Sequence, residues 1–162
     1  MRKLALSDEI LLSVQQPARY LGNEMNVIVK DPSKVDIRFA MCFPDVYEIG
    51  MSHLGMQILY AMFNRREDVW CERLFSPWTD LDPILQGEED PAVCPGNPGA
   101  GQRILIFWAS LIQYEMCYTN MLQVLDLSAA FRSMRCDRTE NDPIVIGGGP
   151  CAYNPEPLAA LL

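Results

Sequence analysis

The chain has 162 residues, the size of one domain or slightly more, and its 49% hydrophobic and 21% charged residues exclude a disordered polypeptide. Thirteen Lys and Arg against 21 Asp and Glu give a formal net charge of -8, which without any basic tract argues against nucleic-acid binding by field alone. No apolar run reaches the roughly 18 residues of a membrane span and no signal-peptide core opens the chain, so it reads as a soluble, cytoplasmic protein.

The first periodic segment is 8–14, with Ile10, Leu11 and Val14 on one helix face and Ser7 placed to cap it. Pro17 ends that helix, Gly22-Asn23 marks a turn, and Asp31-Pro32-Ser33 is a further break. Residues 35–43 alternate and then become continuously apolar, as a strand entering a buried parallel sheet does. Over 51–63, Met51, Leu54, Ile58, Leu59 and Met62 keep helical spacing and predict one helix with that face buried. Residues 69–75 predict a second strand and 78–85 a short helix, before a Gly- and Pro-rich loop over 87–101. A strongly buried strand follows at 104–109, and then a helix over 114–127 with Tyr118, Met121, Leu122 and Leu125 on one face. A brief strand over 143–146 runs into Gly147-Gly148-Gly149-Pro150, and a last helix begins near Asn154-Pro155 and is cut short, as in a fragment.

Strands alternating with helices predict an α/β fold, a doubly wound (Rossmann- or flavodoxin-like) parallel sheet over 35–162, preceded by a helical lead-in over 1–34. The six cysteines, at 42, 71, 94, 117, 136 and 151, are too far apart for a CxxC or CxxxCxxC clamp, so they read as free thiols and no metal site is predicted.

Ligands of such sheets bind beyond the C-terminal strand ends. Three segments fall there. The first, 43–55, holds Asp45, Tyr47, Glu48, Gly50, Ser52, Gly55 and the only histidine, His53. The second begins at Ser110, and the third is Gly147, Gly148 and Gly149. Each has a plain structural reading: Ser52 as a helix cap, His53 as a packed or capping residue, and the three glycines as a turn at positive φ. The glycines form neither a P-loop nor a GxGxxG fingerprint. Together the three segments are suited to enclosing a large flat cofactor, because backbone without side chains lets a planar ring approach closely. An independent enzyme built on Asp45, Glu48, Ser52 and His53 is disfavoured, since no Ser–His–Asp arrangement can be placed from their spacing.

Residues 16–22 (QPARYLG), 43–54, 113–127 (QYEMCYTNMLQVLDL) and 142–157 (DPIVIGGGPCAYNPEP) resemble the cobalamin-binding N-terminal domain of a family of radical S-adenosylmethionine proteins. In many cobalamin domains an Asp-x-His-x-x-Gly motif supplies the lower ligand of cobalt. Here the matching text is Asp45-x-Tyr47-x-x-Gly50, with His53 displaced, so the resemblance implies either a cobalamin held without protein imidazole or a domain that no longer binds it. It also implies that Ser110 and Gly147, Gly148 and Gly149 surround the nucleotide tail and ring. The family's [4Fe–4S] cluster and S-adenosylmethionine belong to a radical domain expected downstream, which is the expected partner; the 162 residues alone are expected not to be catalytic.

Two stretches, 87–111 and 129–136, depart from the family text, which resumes after each. Residues 90–96 can be encoded so that a reading one base later gives Ile-Pro-Leu-Phe-Ala-Leu, and 130–135 so that one base earlier gives Ile-Pro-Leu-Tyr-Ala. The hypothesis is a pair of small compensating insertions or deletions in the source DNA. Codons that forbid these readings would sink it.

Overall fold

A computed structural model of the chain describes residues 6–22, 24–87, 107–127, 139–140 and 142–159. Four parallel strands, β1 (Ile37–Phe43), β2 (Val69–Phe75), β3 (Phe107–Leu111) and β4 (Ile144–Gly148), form one sheet in the order β2-β1-β3-β4. The chain steps from β1 out to β2 and then returns to the far side of β1 for β3, so the switch point lies between β1 and β3. This is the doubly wound α/β sheet that the alternation of strand and helix predicts.

Helices α2 (Tyr47–Ser52) and α3 (Leu54–Asn64) connect β1 to β2, α4 (Asp82–Gly87) follows β2, and α5 (Cys117–Leu127) connects β3 to β4. The short α1 (Asp8–Ser13) and α6 (Glu156–Ala159) lie near the two ends of the chain. Strand alternation divides the core in two. Phe39, Met41 and Phe43 of β1 pack with Met56 and Tyr60 of α3 and with Cys71 and Phe75 of β2. Ala40 and Cys42 face the other way, toward Met121, Val124 and Leu125 of α5 and Leu158 of α6. Each large side chain fully removed from water contributes about 1.5–3 kcal/mol, so the central strand, buried on both faces, anchors the fold.

Three buried charges sit within this apolar frame, and two of them pair. Arg38 of β1 and Glu72 of β2 are both buried, with Nε 2.6 Å from Oε2 and the guanidinium 4.4 Å from the Trp70 ring centroid. Burial raises the Glu72 pKa, against the pull of Arg38. On the α3 side, Asn64 ties helix to strand: its amide donates to the Tyr60 and Cys71 carbonyls (3.1 and 2.9 Å) and its oxygen accepts from Cys71 N–H (3.1 Å).

The lead-in is bolted to elements far along the chain. Ser7 accepts from Ile10 N–H at 3.3 Å and caps α1 as expected. Leu6, Val14 and Tyr20 pack on Leu81, Leu85 and Leu127. The Tyr20 hydroxyl accepts from Trp78 N–H (3.2 Å), Ile28 N–H donates to the Tyr60 hydroxyl (2.8 Å), and the Trp70 indole donates to Ile28 O (3.1 Å). Lys30 Nζ donates to the carbonyls of Asn64 (3.0 Å), Arg66 and Val69 (2.5 Å), closing the C-terminal end of α3 where carbonyls lack partners.

Several expected boundaries move. The helix expected over 51–63 is two helices that break at His53, and the buried side is Met56, Tyr60 and Asn64. Leu54, Ile58 and Met62 face outward. The expected face fails because a stripe drawn through Met51 continues across a break that resets the helix phase. The strand expected over 104–109 runs on to Leu111 in β3, with 104–106 outside the described residues. The helix expected over 78–85 starts only at Asp82 in α4, and that over 114–127 starts at Cys117. Most of the expected loop over 87–101, and the anomalous stretch over 129–136, likewise lie outside the described residues. Cys42, Cys71, Cys117 and Cys151 are free thiols. Burial pushes the Cys71 thiol far above its ordinary pKa.

Candidate functional site

The C-terminal edge is built by the turns that leave each strand. After β1, Asp45 Oδ1 accepts from Val46 N–H (2.7 Å) and Asp45 O accepts from Ser76 N–H (2.9 Å), which joins the ends of β1 and β2. Across the switch point the Asn120 amide of α5 donates to Pro44 O at 3.0 Å. After β3, Ile112 N–H donates to Gly148 O (2.6 Å) and Ile112 O accepts from Cys151 N–H (3.2 Å). The Tyr118 hydroxyl donates toward the Cys151 and Asn154 carbonyls (3.1 and 3.0 Å) and secures the turn after β4.

Asp45, Tyr47, Gly50, Ser52, His53, Ser110, Gly147, Gly148 and Gly149 all fall along this edge, but they divide among separate surroundings. Tyr47 sets its ring edge-on to Phe75, with centroids 5.4 Å apart. Gly50 brings α2 down on the same ring, since a Cβ there would lie 2.3 Å from Phe75 Cε1. Burial first, and then the Glu24 carboxylate, raise the Tyr47 pKa, so the phenol stays protonated at neutral pH. Ser52 is not the cap of the following helix: its hydroxyl donates back to Glu48 O at 2.6 Å. His53 is that cap, with Nδ1 accepting from Met56 N–H at 3.2 Å and its ring 5.0 Å from Phe43. A neutral imidazole accepting at Nδ1 carries its proton on Nε2 and has no second lone pair to offer a metal.

Ser110 is buried and registers with Cys42, so alternation turns it toward the α5 side; its Oγ has no hydrogen-bond partner among the described residues. The three glycines also divide. Gly147 and Gly148 belong to β4 and only Gly149 has positive φ (113°), which corrects the expected three-residue turn. A Cβ at Gly149 would lie 2.5 Å from Ile112 O, whereas one at Gly148 would meet nothing within 4 Å.

That open position borders a cavity of about 510 Å³ on the α3 side of β3 and β4, lined by Phe39, Met41, Leu59, Phe63, Leu111 and Gly148, among others. Nearly all of its wall is apolar, and it runs along the sheet face from Ile37, Arg66 and Val69 at the N-terminal strand ends to Leu111 and Gly148 at the C-terminal edge, crossing β1 and β3, between which the switch point lies.

Sequence reasoning missed a polar cluster on the α3 side of β2. Arg73, buried mid-strand, donates to Gln57 Oε1 (3.0 Å) and Asn26 Oδ1 (3.1 Å), lies 4.2 Å from the Tyr60 ring centroid and stands 3.6 Å from the Glu24 carboxylate. Its members are scattered from residue 24 to residue 73, and the one sequence signal was the Glu72-Arg73 pair inside an otherwise apolar strand. A second pair, Arg19 Nε to Glu48 Oε1 at 2.7 Å, fastens the lead-in to α2, and Arg19 lies 5.3 Å from the Trp78 ring centroid. For Glu48, burial is the largest single influence and works to raise the pKa, but the hydrogen bond and charge of Arg19 together with a backbone hydrogen bond outweigh it and the net shift is downward.

Among the described residues no group of three His, Cys, Asp or Glu could hold a metal ion, and no helix is long and apolar enough to cross a membrane. The described residues form a doubly wound α/β domain with an apolar cavity along the α3 side of its sheet. Residues 55–162, about two thirds of the chain, match the family model for the N-terminal region of radical SAM proteins, and the chain belongs to that family. Membership implies a [4Fe–4S] cluster and S-adenosylmethionine in the full protein. No curated protein and no solved structure matches the chain.

Proposed function

We propose that this chain is the corrinoid-holding N-terminal module of a cytoplasmic radical SAM iron–sulfur enzyme, and that it presents its ligand to a downstream cluster domain without being catalytic alone. The observation that carries the reading is the apolar cavity along the α3 side of the sheet, into which the bare backbone of Gly148 opens at the C-terminal edge. A flat apolar group such as the aromatic base that ends a cobalamin's nucleotide tail suits that cavity, with Gly148, Leu111 and Phe63 against it and the tail's phosphate left outside. A bound corrinoid would supply a cobalt centre for methyl transfer or another radical modification. Neither Tyr47, packed on Phe75, nor His53, engaged as a cap, is set to ligate the cobalt. That same geometry favours one rival, a non-catalytic α/β ligand-binding or interaction module that no longer takes cobalamin.

Titration with hydroxocobalamin, followed by visible absorbance, separates the two. The expected result is a shift of the cobalt bands on binding, with affinity falling roughly tenfold or more when Gly148→Leu fills the cavity. A folded protein that leaves the bands unchanged, or a Gly148→Leu variant that binds equally well, would overturn the corrinoid role and leave the rival.

A further inference from the structure

Helix α3 is apolar on both of its faces. No Asp, Glu, Lys or Arg occurs from Ile49 to Asn64, and Met56 and Tyr60 are buried against the sheet. On the opposite face Leu54 is 71% exposed, Ile58 56% and Met62 49%. These three are spaced i, i+4 and i+8, so the helix itself stacks them into one unbroken stripe about 12 Å long. A surface helix ordinarily turns charged residues to water, whereas one that is apolar all round is buried on all sides. Single exposed apolar residues are ordinary, but three in a row on a charge-free helix belong to a face that is covered.

The stripe is symmetric about Ile58. Gly55 and Ala61 stand three residues to either side of it, and Leu54 and Met62 four. Two copies of α3 laid antiparallel about Ile58 therefore set Leu54 against Met62 and Gly55 against Ala61, and the small pair lets the axes approach to about 8–10 Å. The ends match in charge as well. Glu48 of α2 precedes the stripe, and Arg65 and Arg66 follow it beside Lys30 and Lys34. An antiparallel pair turns the basic end of each copy toward the acidic end of the other and sets the helix dipoles in opposition, whereas a parallel pair would oppose like ends. With a formal net charge of -8 on each chain, a charge-free face is where two copies meet with least repulsion. Half-buried Leu59 and Phe63 continue the apolar surface beside the stripe. Stripe and flank cover on the order of 500 Å² per copy, the low end for specific interfaces, so association is expected in the micromolar range.

We propose that α3 is the contact of a homodimer: a second copy of this chain lies antiparallel on the stripe of Leu54, Ile58 and Met62, with Ile58 at the twofold axis. The burial of this face that the periodicity of 51–63 predicts is then met between two chains rather than within one. The proposal is independent of the corrinoid reading, since none of Leu54, Ile58 and Met62 lines the cavity.

Sedimentation velocity of the purified chain, from about 1 μM to about 1 mM, reads the equilibrium directly. Ile58→Asp and Leu54→Asp, both at exposed positions, are each expected to raise the dissociation constant about tenfold or more with unchanged circular dichroism. Tyr153→Asp and Ile144→Asp, exposed after β4 and on it, are expected to leave it unchanged. Contact at the axis adds a sharper readout: Ile58→Lys and Ile58→Glu should each be monomeric alone and should dimerise when mixed. The proposal is overturned if the folded chain stays monomeric throughout the range, if dimers form that Ile58→Asp and Leu54→Asp leave intact, or if the mixed variants stay monomeric. Dimers that Ile144→Asp dissociates instead would be pairs of β4 edges and overturn it equally. So does a monomeric chain whose α3 stripe is protected from hydrogen exchange in a full-length family member, which makes the downstream domain the occupant.

Discussion

Replacing Gly149 by alanine would set a methyl carbon 2.5 Å from Ile112 O, 3.0 Å from Ile112 C and 3.2 Å from Ile112 N, all of them backbone atoms. The residue's φ of 113° and ψ of -179° belong to a region that only glycine occupies without strain, and that strain alone costs about 1–3 kcal/mol. Relief requires Ile112 to move, yet its N–H is bonded to Gly148 O and its carbonyl to Cys151 N–H. Weakening one or both bonds adds about 0.5–1.5 kcal/mol each. The sum is about 1.5–6 kcal/mol, a large share of the roughly 5–15 kcal/mol that holds a domain together. Gly148→Ala is the internal control, because its methyl group enters open space and is expected to stay within about 1 kcal/mol of the parent. Urea unfolding followed by far-ultraviolet circular dichroism measures both. At about 1–3 kcal/mol per molar urea, Gly149→Ala should lower the midpoint by roughly 0.5 M or more. Equal midpoints for the two variants would refute the argument from close backbone approach.

Two further expectations concern the turn after β1. Gly50→Ala forces its methyl group into the buried Phe75 ring and should cost about 1–3 kcal/mol, recovered in part by Phe75→Leu; a double variant less stable than Gly50→Ala alone would contradict this. Because Arg19 holds the folded-state pKa of Glu48 below its ordinary value, the pair's stabilisation is present above that ordinary value and is lost as pH falls through the folded one. Unfolding midpoints of the parent and Arg19→Gln, measured from neutral pH down to mild acid, should therefore converge on acidification, and parallel curves would show that the pair contributes nothing.

The strands and their order of appearance were legible because burial writes itself as mostly apolar text, broken only by Asp36 and Arg38 in the first stretch and Glu72 and Arg73 in the second: 69–75 matches β2 end to end, and 35–43 overshoots β1 by two residues. The helix pair around His53 was not legible. Histidine is not among the usual capping residues, so Ser52 drew the assignment of helix cap, although the plain reading of His53 as a packed or capping residue is what the structure shows. Gly147, Gly148 and Gly149 look identical in sequence, yet one lies against Ile112, one borders the cavity and one sits at positive φ; only the register with β3 tells them apart. The Asp45-x-Tyr47-x-x-Gly50 motif was visible as a pattern, but its use of Tyr47 and Gly50 to seat α2 on Phe75 depends on a residue 25 positions beyond Gly50. The cluster around Arg73 has no periodicity at all, since it joins a lead-in segment, a helix and a strand.

The fastening of the lead-in has a consequence for synthesis. Tyr20 and Ile28 leave the ribosome early, but their partners are Tyr60, Trp70, Trp78 and Leu81, and the same apolar cluster is completed by Leu127 of α5. At about 5–20 residues per second, roughly 5–20 s separate translation of the lead-in from translation of its last contact. Until then the cluster around Leu6, Val14 and Tyr20 lacks that member, so the lead-in is made well before its packing can be completed. Whatever meets the nascent chain in those seconds meets exposed apolar side chains.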